Sequence, residues 1–480
     1  LFGVLEQTLF LRTSLAGLQK TTADMTLKTN QSVPYCDEAT CVAAQCVPTL
    51  CVGKGVPSNE KLFARSSDVI PGGVNSSIRA FKSVGGSPYI VARGNGAHIW
   101  DVEGKKYVDL VQSYGAIILG HAHPAVTTAI QQAALDGTSY GAPTPREMKL
   151  AEAISSRVAS CEQVRLMNSG TEATSTAVRL ARGATGRKII VTFAGNFHGA
   201  TDALLVAGGS GIATLGLPGT AGVPDEAVAN TMVAPYNVVP RLTTDVAAVI
   251  VEPVAANMGV VAPAPGFLEG LREECDRVGA LLIFDEVITG FRLGTGGAQA
   301  KFDVRPDLTC FGKVIGGGLP IGAVGGRRDI MSVLTPNGKV FHAGTLAGNP
   351  LATAAGLAAL NELTDDVYME ISARARHGAS LLRDICAAAG INAHFPVVGT
   401  LVGMYIGKNG EASQKLPHNF DEAKSTDEKM YAQLFHAMLK EGVAMAPGAY
   451  EAIFFGLAHT DEVFAELSRA AERAVAQVQH

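Results

Sequence analysis

Asp285 and Lys313 are the pair of residue types around which chemistry can be built. Asp285 ends the apolar run Ala280-Leu281-Leu282-Ile283-Phe284. Such a run reads as a buried parallel strand with the carboxylate at its C-terminal edge, where open α/β sheets place their ligands. Lys313 follows 28 positions later, in Phe311-Gly312-Lys313-Val314-Ile315-Gly316-Gly317-Gly318. An apolar setting strips water from a lysine, lowers its pKa and makes it a usable amine nucleophile. A carboxylate that keeps a pyridinium nitrogen protonated and a lysine that forms a Schiff base are what pyridoxal phosphate asks of a protein. A core strand followed by a surface lysine has the same local pattern, so the remaining chain must decide.

Three other stretches carry candidate chemistry. Asn168-Ser169-Gly170-Thr171-Glu172-Ala173 opens a helical run; small residues there leave free N–H groups at the positive end of the helix dipole, which suits a phosphate. The same hexapeptide also fits an ordinary capped helix. Gly195-Asn196-Phe197-His198-Gly199 follows the strand Ile189–Phe193 and offers an aromatic face for a planar cofactor, or a core aromatic between glycines. Arg79 closes the loop Pro71-Gly72-Gly73-Val74-Asn75-Ser76-Ser77-Ile78, a fork of donors for a substrate carboxylate or a plain surface charge. Neither G-x-G-x-x-G nor G-K-[ST] occurs, which weakens nicotinamide and ATP readings.

The elements that must position these residues follow from the pattern. The chain has 480 residues, 47% hydrophobic and 17% charged, enough for a large, well-buried α/β enzyme. Its net charge of −5 argues against nucleic acid as a partner and against a basic membrane-binding face. No stretch reads as a membrane-spanning helix: the uncharged segment from Ala203 to Pro224 is broken by glycine and proline. Apolar strands at 189–193, 247–251 and 280–285 alternate with helices such as Phe267–Val278, which predicts a doubly wound, mainly parallel sheet. Gly94-Asn95-Gly96 and Glu103-Gly104-Lys105 break the region before it into an antiparallel meander. Asn349-Pro350 is an N-cap with Pro at the first helical position. The expected division is 1–57 as an N-terminal extension, 58–115 and 371–480 as the two parts of a small α+β domain, and 116–370 as the large domain. Within the extension, Cys36, Cys41, Cys46 and Cys51 recur every five residues, a spacing that does not match structural zinc sites, so no metal is expected. The remaining cysteines are scattered like reduced thiols, pointing to a soluble cytoplasmic enzyme.

Taken in order, PGGVNSSIRAFKSVGG, LGHAHP, GTSYGAP, NSGTEA, GGSGIATLGLPG, PYN, FDEVITGFR, PDLTCFGKVIGGGLPIGA, AGTLAGNPLA and LAHT resemble the fold-type I, class III aminotransferases. Within that group, SSIRAF and GSGIATLGLPG resemble the glutamate-1-semialdehyde 2,1-aminomutases. The resemblance runs from about residue 58 to the C-terminus. It implies pyridoxal and pyridoxamine 5′-phosphate as cofactor, with Lys313 as its covalent anchor and proton carrier and Asp285 on the pyridine nitrogen. Ser169, Gly170 and Thr171 would hold the phosphate, joined by Thr345 of a second subunit in a homodimer. Phe197 would stack on the ring, with His198 beside it, and Asn237 would lie near O3′. Ser76 and Arg79 would take the substrate carboxylate, and Glu451 would lie near the mouth of the cleft. The loop around Gly209, Ser210 and Gly211 would close over the site and retain 4,5-diaminovalerate, so that glutamate 1-semialdehyde leaves as 5-aminolevulinate, a tetrapyrrole precursor.

Three positions depart from that pattern. Ser113-Tyr114-Gly115-Ala116 lacks the usual Trp, Phe197 stands for the usual Tyr, and Phe341-His342 stands for Tyr-Gln. They keep open a class III external aminotransferase acting on a β- or ω-amino acid. A non-catalytic cofactor-binding or nucleotide-binding protein is the rival from another class.

Overall fold

The computed structural model describes residues 57–206, 220–408 and 416–478. The four N-terminal cysteines and the stretch with Gly209, Ser210 and Gly211 lie outside these described residues. In chain order the strands are β1 (Val91–Asn95), β2 (His98–Asp101), β3 (Lys106–Asp109), β4 (Gln163–Met167), β5 (Ile189–Phe193), β6 (Thr231–Ala234), β7 (Val246–Val251), β8 (Leu281–Asp285), β9 (Leu308–Gly312) and β10 (Gly322–Gly326). Six short ones follow: β11 (Ala393–His394), β12 (Val397–Val398), β13 (Leu401–Val402), β14 (Tyr405–Ile406), β15 (Val443–Ala444) and β16 (Ile453–Phe454).

The central sheet has the order β4-β10-β9-β8-β7-β5-β6. The run from β9 to β6 is parallel, and β10 is antiparallel to both of its neighbours. Side chains alternate across β8, and each set finds its own helix. Leu282 and Phe284 pack with Phe267, Leu271 and Cys275 of the helix Phe267–Val278. Leu281 and Ile283 pack with Ala173, Ala177 and Leu180 of the helix Gly170–Thr185. A strand buried on both faces has no polar side to show, which is why it reads as an unbroken apolar run.

That alternation separates two adjacent carboxylates. Asp285 falls on the face of Ile283, toward the helix Gly170–Thr185. Glu286 falls on the other and is fully buried, accepting hydrogen bonds from Ala298 N, Gln299 N, Gln299 Nε2 and Thr289 Oγ1. It ties the helix Gly297–Phe302 to the sheet, so its place is structural.

The predicted meander is present as β1-β2-β3, and β15 joins it in parallel beside β3, bringing the two ends of the described chain into one sheet. His459 fastens the C-terminal segment there. Its Nδ1 accepts from Gly456 N at 3.1 Å and its Nε2 lies 3.2 Å from the Asp109 carbonyl, which only a neutral ring satisfies. Burial, opposed by Asp109, pushes its pKa down to about 4. A depressed histidine stabilises the fold above its unfolded pKa near 6.5, and that stability is lost as pH falls toward 4, by about 3 kcal/mol in all. Urea unfolding across this window should show the loss, and His459→Gln should flatten it. An unchanged acid slope in the variant would remove His459 from the account.

Candidate active site

The C-terminal ends of β4, β5, β7, β8 and β9 open on one cavity of about 360 Å³. Its lining includes Ser169, Gly170 and Thr171 after β4, Phe197 and His198 after β5, Glu252 after β7, Asp285 at the end of β8 and Lys313 after β9. Because β8 and β9 are neighbours, with Asp285 paired to Cys310, the carboxylate and the lysine reach the same edge from adjacent strands.

Asp285 is held from two sides. Its Oδ2 lies 2.7 Å from His198 Nδ1, and its Oδ1 accepts from Val287 N at 3.1 Å. A carboxylate only accepts, so Nδ1 carries the hydrogen, and the buried Nε2 of His198 has no partner among the described residues. His198 is itself fixed through its carbonyl, which accepts from Thr174 Oγ1 at 2.6 Å. Lys313 begins the short helix Lys313–Gly316 with φ of 47°, a left-handed conformation that side chains with a Cβ rarely adopt. Such strain, kept at a cavity edge, is a mark of a functional position. Burial lowers the pKa of its ammonium; Asp285, Glu252 and Glu451 pull it back up and Arg292 lowers it further.

The third part is an anion cup. Ser169 caps the helix Gly170–Thr185 by accepting from Glu172 N at 3.2 Å, so its hydroxyl serves the helix first. The N–H groups of Gly170 and Thr171, at the start of the helix, have no intrahelical partner and face the cavity with the dipole's positive end. Thr171 Oγ1 accepts from Ala200 N at 3.2 Å, which folds the β5 loop over the cup.

The model of the family "Aminotransferase class-III" matches residues 81–469. The chain belongs to this family. A glutamate-1-semialdehyde 2,1-aminomutase of Bordetella avium is 51% identical over 411 residues, covering 84% of this chain and 95% of that protein. Among solved structures, an omega-transaminase from Sphaerobacter thermophilus aligns with a TM-score of 0.78 and 30% identity, over 89% of this chain and 99% of that one. A glutamate-1-semialdehyde-aminomutase from Pseudomonas aeruginosa, in complex with PMP, aligns with a TM-score of 0.76 and 26% identity, over 88% of this chain and 94% of that one.

The cofactor of class III aminotransferases fits what the cavity presents. The helix N-terminus would suit a phosphate, Asp285 a protonated ring nitrogen, and Lys313, the one lysine among the described lining residues, an aldehyde carbon. Phe197 is 37% exposed and lines the cavity, with its backbone N–H donating to Glu252 Oε1 at 2.7 Å.

Glu252 and Asn257 are among the lining residues that escaped the sequence reading. Glu252 is buried and also accepts from Ala256 N and Asn257 Nδ2, at 3.1 and 3.0 Å, and burial raises its carboxyl pKa to about 7. Asn257 lines the cavity, whereas Asn237 does not. The amide of Asn237 is spent on Ala262 O, His418 O and Ala264 N, at 3.1, 2.7 and 2.7 Å. Asn237 thus pins loops, and Asn257 is the asparagine that stands among the described lining residues after β7. Asn257→Ala should lower kcat/KM about tenfold or more, the scale of one hydrogen bond to a charged group. Asn237→Ala should lower the melting temperature and leave kcat/KM within about twofold. Steady-state kinetics with thermal melts separates the two, and reversed results would restore Asn237.

The remaining expected class III site residues lie outside the cavity lining. Ser76 and Arg79 are exposed, on and beside the short turn Ser77–Ala80. Arg79 acts electrostatically on Tyr114, as does Glu451, and Glu451 acts on Lys313, so these groups share one neighbourhood. Thr345 is exposed in the loop between β10 and the helix Pro350–Glu362. His342 lines a second, open cavity that shares Thr171 with the first, and its buried Nε2 has no partner.

Proposed function

We propose that the chain is a pyridoxal-phosphate-dependent glutamate-1-semialdehyde 2,1-aminomutase, an isomerase that converts (S)-4-amino-5-oxopentanoate to 5-aminolevulinate for tetrapyrrole synthesis. The observation that carries the class of chemistry is the meeting of Asp285, Lys313 and the Gly170-Thr171 anion cup in one cavity. Identity of 51% across 95% of a named aminomutase carries the substrate. Bound pyridoxamine phosphate supplies one amino group and recovers another, so no outside donor is consumed.

The chain's own residues divide the work. Lys313, its ammonium destabilised by burial, takes and returns protons at the substrate carbons. Asp285, oriented by His198, keeps a positive charge at the ring nitrogen. The helix N-terminus holds the phosphate, and Phe197 covers a ring face. Arg79 and Ser76 receive the substrate carboxylate, with Glu451 and Tyr114 beside them. Thr345 completes the phosphate site of a second copy in a homodimer; support for this is the exposure of Phe341 and Leu346 around it, 67% and 52%, next to the open cavity. No helix among the described residues is long and apolar enough to cross a membrane. Four buried free thiols, Cys161, Cys275, Cys310 and Cys386, support a reducing, cytoplasmic setting.

An external aminotransferase is the second reading. It is favoured by Phe197 and Tyr114 and by the 30% identity to the omega-transaminase. The experiment is 5-aminolevulinate formation from glutamate 1-semialdehyde with no added donor or acceptor. Sustained turnover is expected. One turnover or none, with activity returning on addition of an amine and a keto acid, would replace the aminomutase by the aminotransferase.

A further inference from the structure

Among the described residues Arg292 is the largest side chain buried without solvent contact, and none of them gives its charge a counter-ion. Nη2 donates to the Gly115 carbonyl at 2.7 Å, while Nε and Nη1 have no hydrogen-bond partner among the described residues. The guanidinium faces the ring of Phe454 in β16 at 5.1 Å, and the Arg292 carbonyl accepts from Thr400 Oγ1 at 2.8 Å. An uncompensated buried cation is costly, and an apolar side chain of that volume would pack there at lower cost. Something other than stability must account for it.

What it touches is the most strained stretch of the described backbone. Gln112, Ser113 and Tyr114 have φ of 44°, 52° and 54°, followed by Gly115 at 90°. Three successive residues with a Cβ in the left-handed region do not stay there unaided. From below, Asp109 Oδ1 accepts from Val111 N and Gln112 N, at 2.8 and 3.2 Å. From inside, Arg292 takes the last carbonyl of the turn. A Cβ added at Gly115 would come within 2.7 Å of Phe454 and 3.3 Å of Arg292 Nε, so turn, guanidinium and β16 form one packed joint. Tyr114, the third left-handed residue of the turn, is in the field of Glu451 and Arg79.

We propose that Arg292 is a positioning residue for substrate: its guanidinium locks the left-handed turn 112–115 so that Tyr114 is presented to the substrate beside Glu451 and Arg79. The proposal rests on the active-site reading above and adds a residue that touches neither substrate nor cofactor.

Hydrogen exchange in the cofactor-loaded protein tests the joint without any assay of turnover. Tyr114 N, Gly115 N, Ala116 N and Ile117 N are bonded within the turn, to Val111 O, Gln112 O, Ser113 O and Gln112 O. In Arg292→Met their exchange should rise at least about tenfold with the central sheet unchanged. Arg292→Lys, which keeps the charge and an ammonium donor group, should show a smaller rise and covers the case of a methionine variant that does not fold. In kinetics, Arg292→Met should lower kcat/KM at least about tenfold, and the loss should shrink to under about threefold in a Tyr114→Ala background. Unchanged exchange in the turn for both variants overturns the proposal. So does faster exchange with full kcat/KM, or a kinetic loss undiminished without Tyr114. A parent chain that makes no 5-aminolevulinate would instead refute the proposed function, and the exchange result would still judge the joint.

Discussion

Lys313→Ala should lower 5-aminolevulinate formation by about 10³-fold or more, because in the proposed reaction one side chain supplies both the covalent anchor and the moving proton. The fold should not suffer in proportion. Alanine carries a Cβ, so the left-handed backbone at φ 47° is no more strained than before. The substitution also removes an ammonium that burial disfavours. The anion cup and the Asp285–His198 pair remain, so the variant should still take up the phosphate cofactor by non-covalent contacts. The expected result is a chain that melts as the parent does, binds cofactor and does not turn over. Lys313→Arg separates charge from chemistry: arginine restores the cation but cannot serve as the amine or give up its proton at neutral pH, so it should be as inactive as alanine. More than a tenth of parental activity in either variant would remove Lys313 from the chemistry.

Much of this arrangement was legible in the chain, for reasons that also mark where legibility ends. Asp285 stands out because β8 is apolar on both faces, so a carboxylate at its end breaks the run. The same signal stood at Glu252, which closes the equally apolar β7, and applying one rule to both strands would have found it. The N-cap at Asn349 was readable because capping is local chemistry, and its side chain does accept from Leu351 N and Ala352 N. β10 was not, since Gly322-Ala323-Val324-Gly325-Gly326 has the composition of a loop. Its glycines answer to neighbours: a Cβ at Gly322 would sit 2.0 Å from the Ser169 carbonyl, beneath the anion cup. Asn237 and Asn257 could not be told apart by spacing, because what separates them is which backbone groups a distant segment brings near. Nor does Gln112-Ser113-Tyr114 announce three left-handed residues: Asp109, three residues before Gln112, is a local support, but the contact from Arg292 comes from 177 positions beyond Gly115.

Asp285→Asn should cost about 10²-fold or more in kcat, with a smaller effect on KM, since a preorganised charge aimed at the reacting system typically contributes this much. Asparagine keeps the shape and can still accept from Val287 N. It cannot hold a positive charge at the ring nitrogen, and without that charge the bound cofactor would be a poor sink for the electron pair left on carbon when Lys313 takes the proton. Binding depends more on the anion cup, and Gly170 and Thr171 are untouched. His198 supplies the control. Its Nδ1 orients Asp285 Oδ2 at 2.7 Å, so His198→Ala should cost about tenfold alone, the value of a buried hydrogen bond to a charge. In the Asp285→Asn background it should cost far less, because a residue that acts through a carboxylate has nothing left to act on. Full additivity of the two losses would mean that His198 meets the cofactor directly, through the Nε2 that has no partner among the described residues. An Asp285→Asn enzyme within tenfold of the parent would mean that the cavity works without a charged floor, and the electronic role assigned to Asp285 would fall with it.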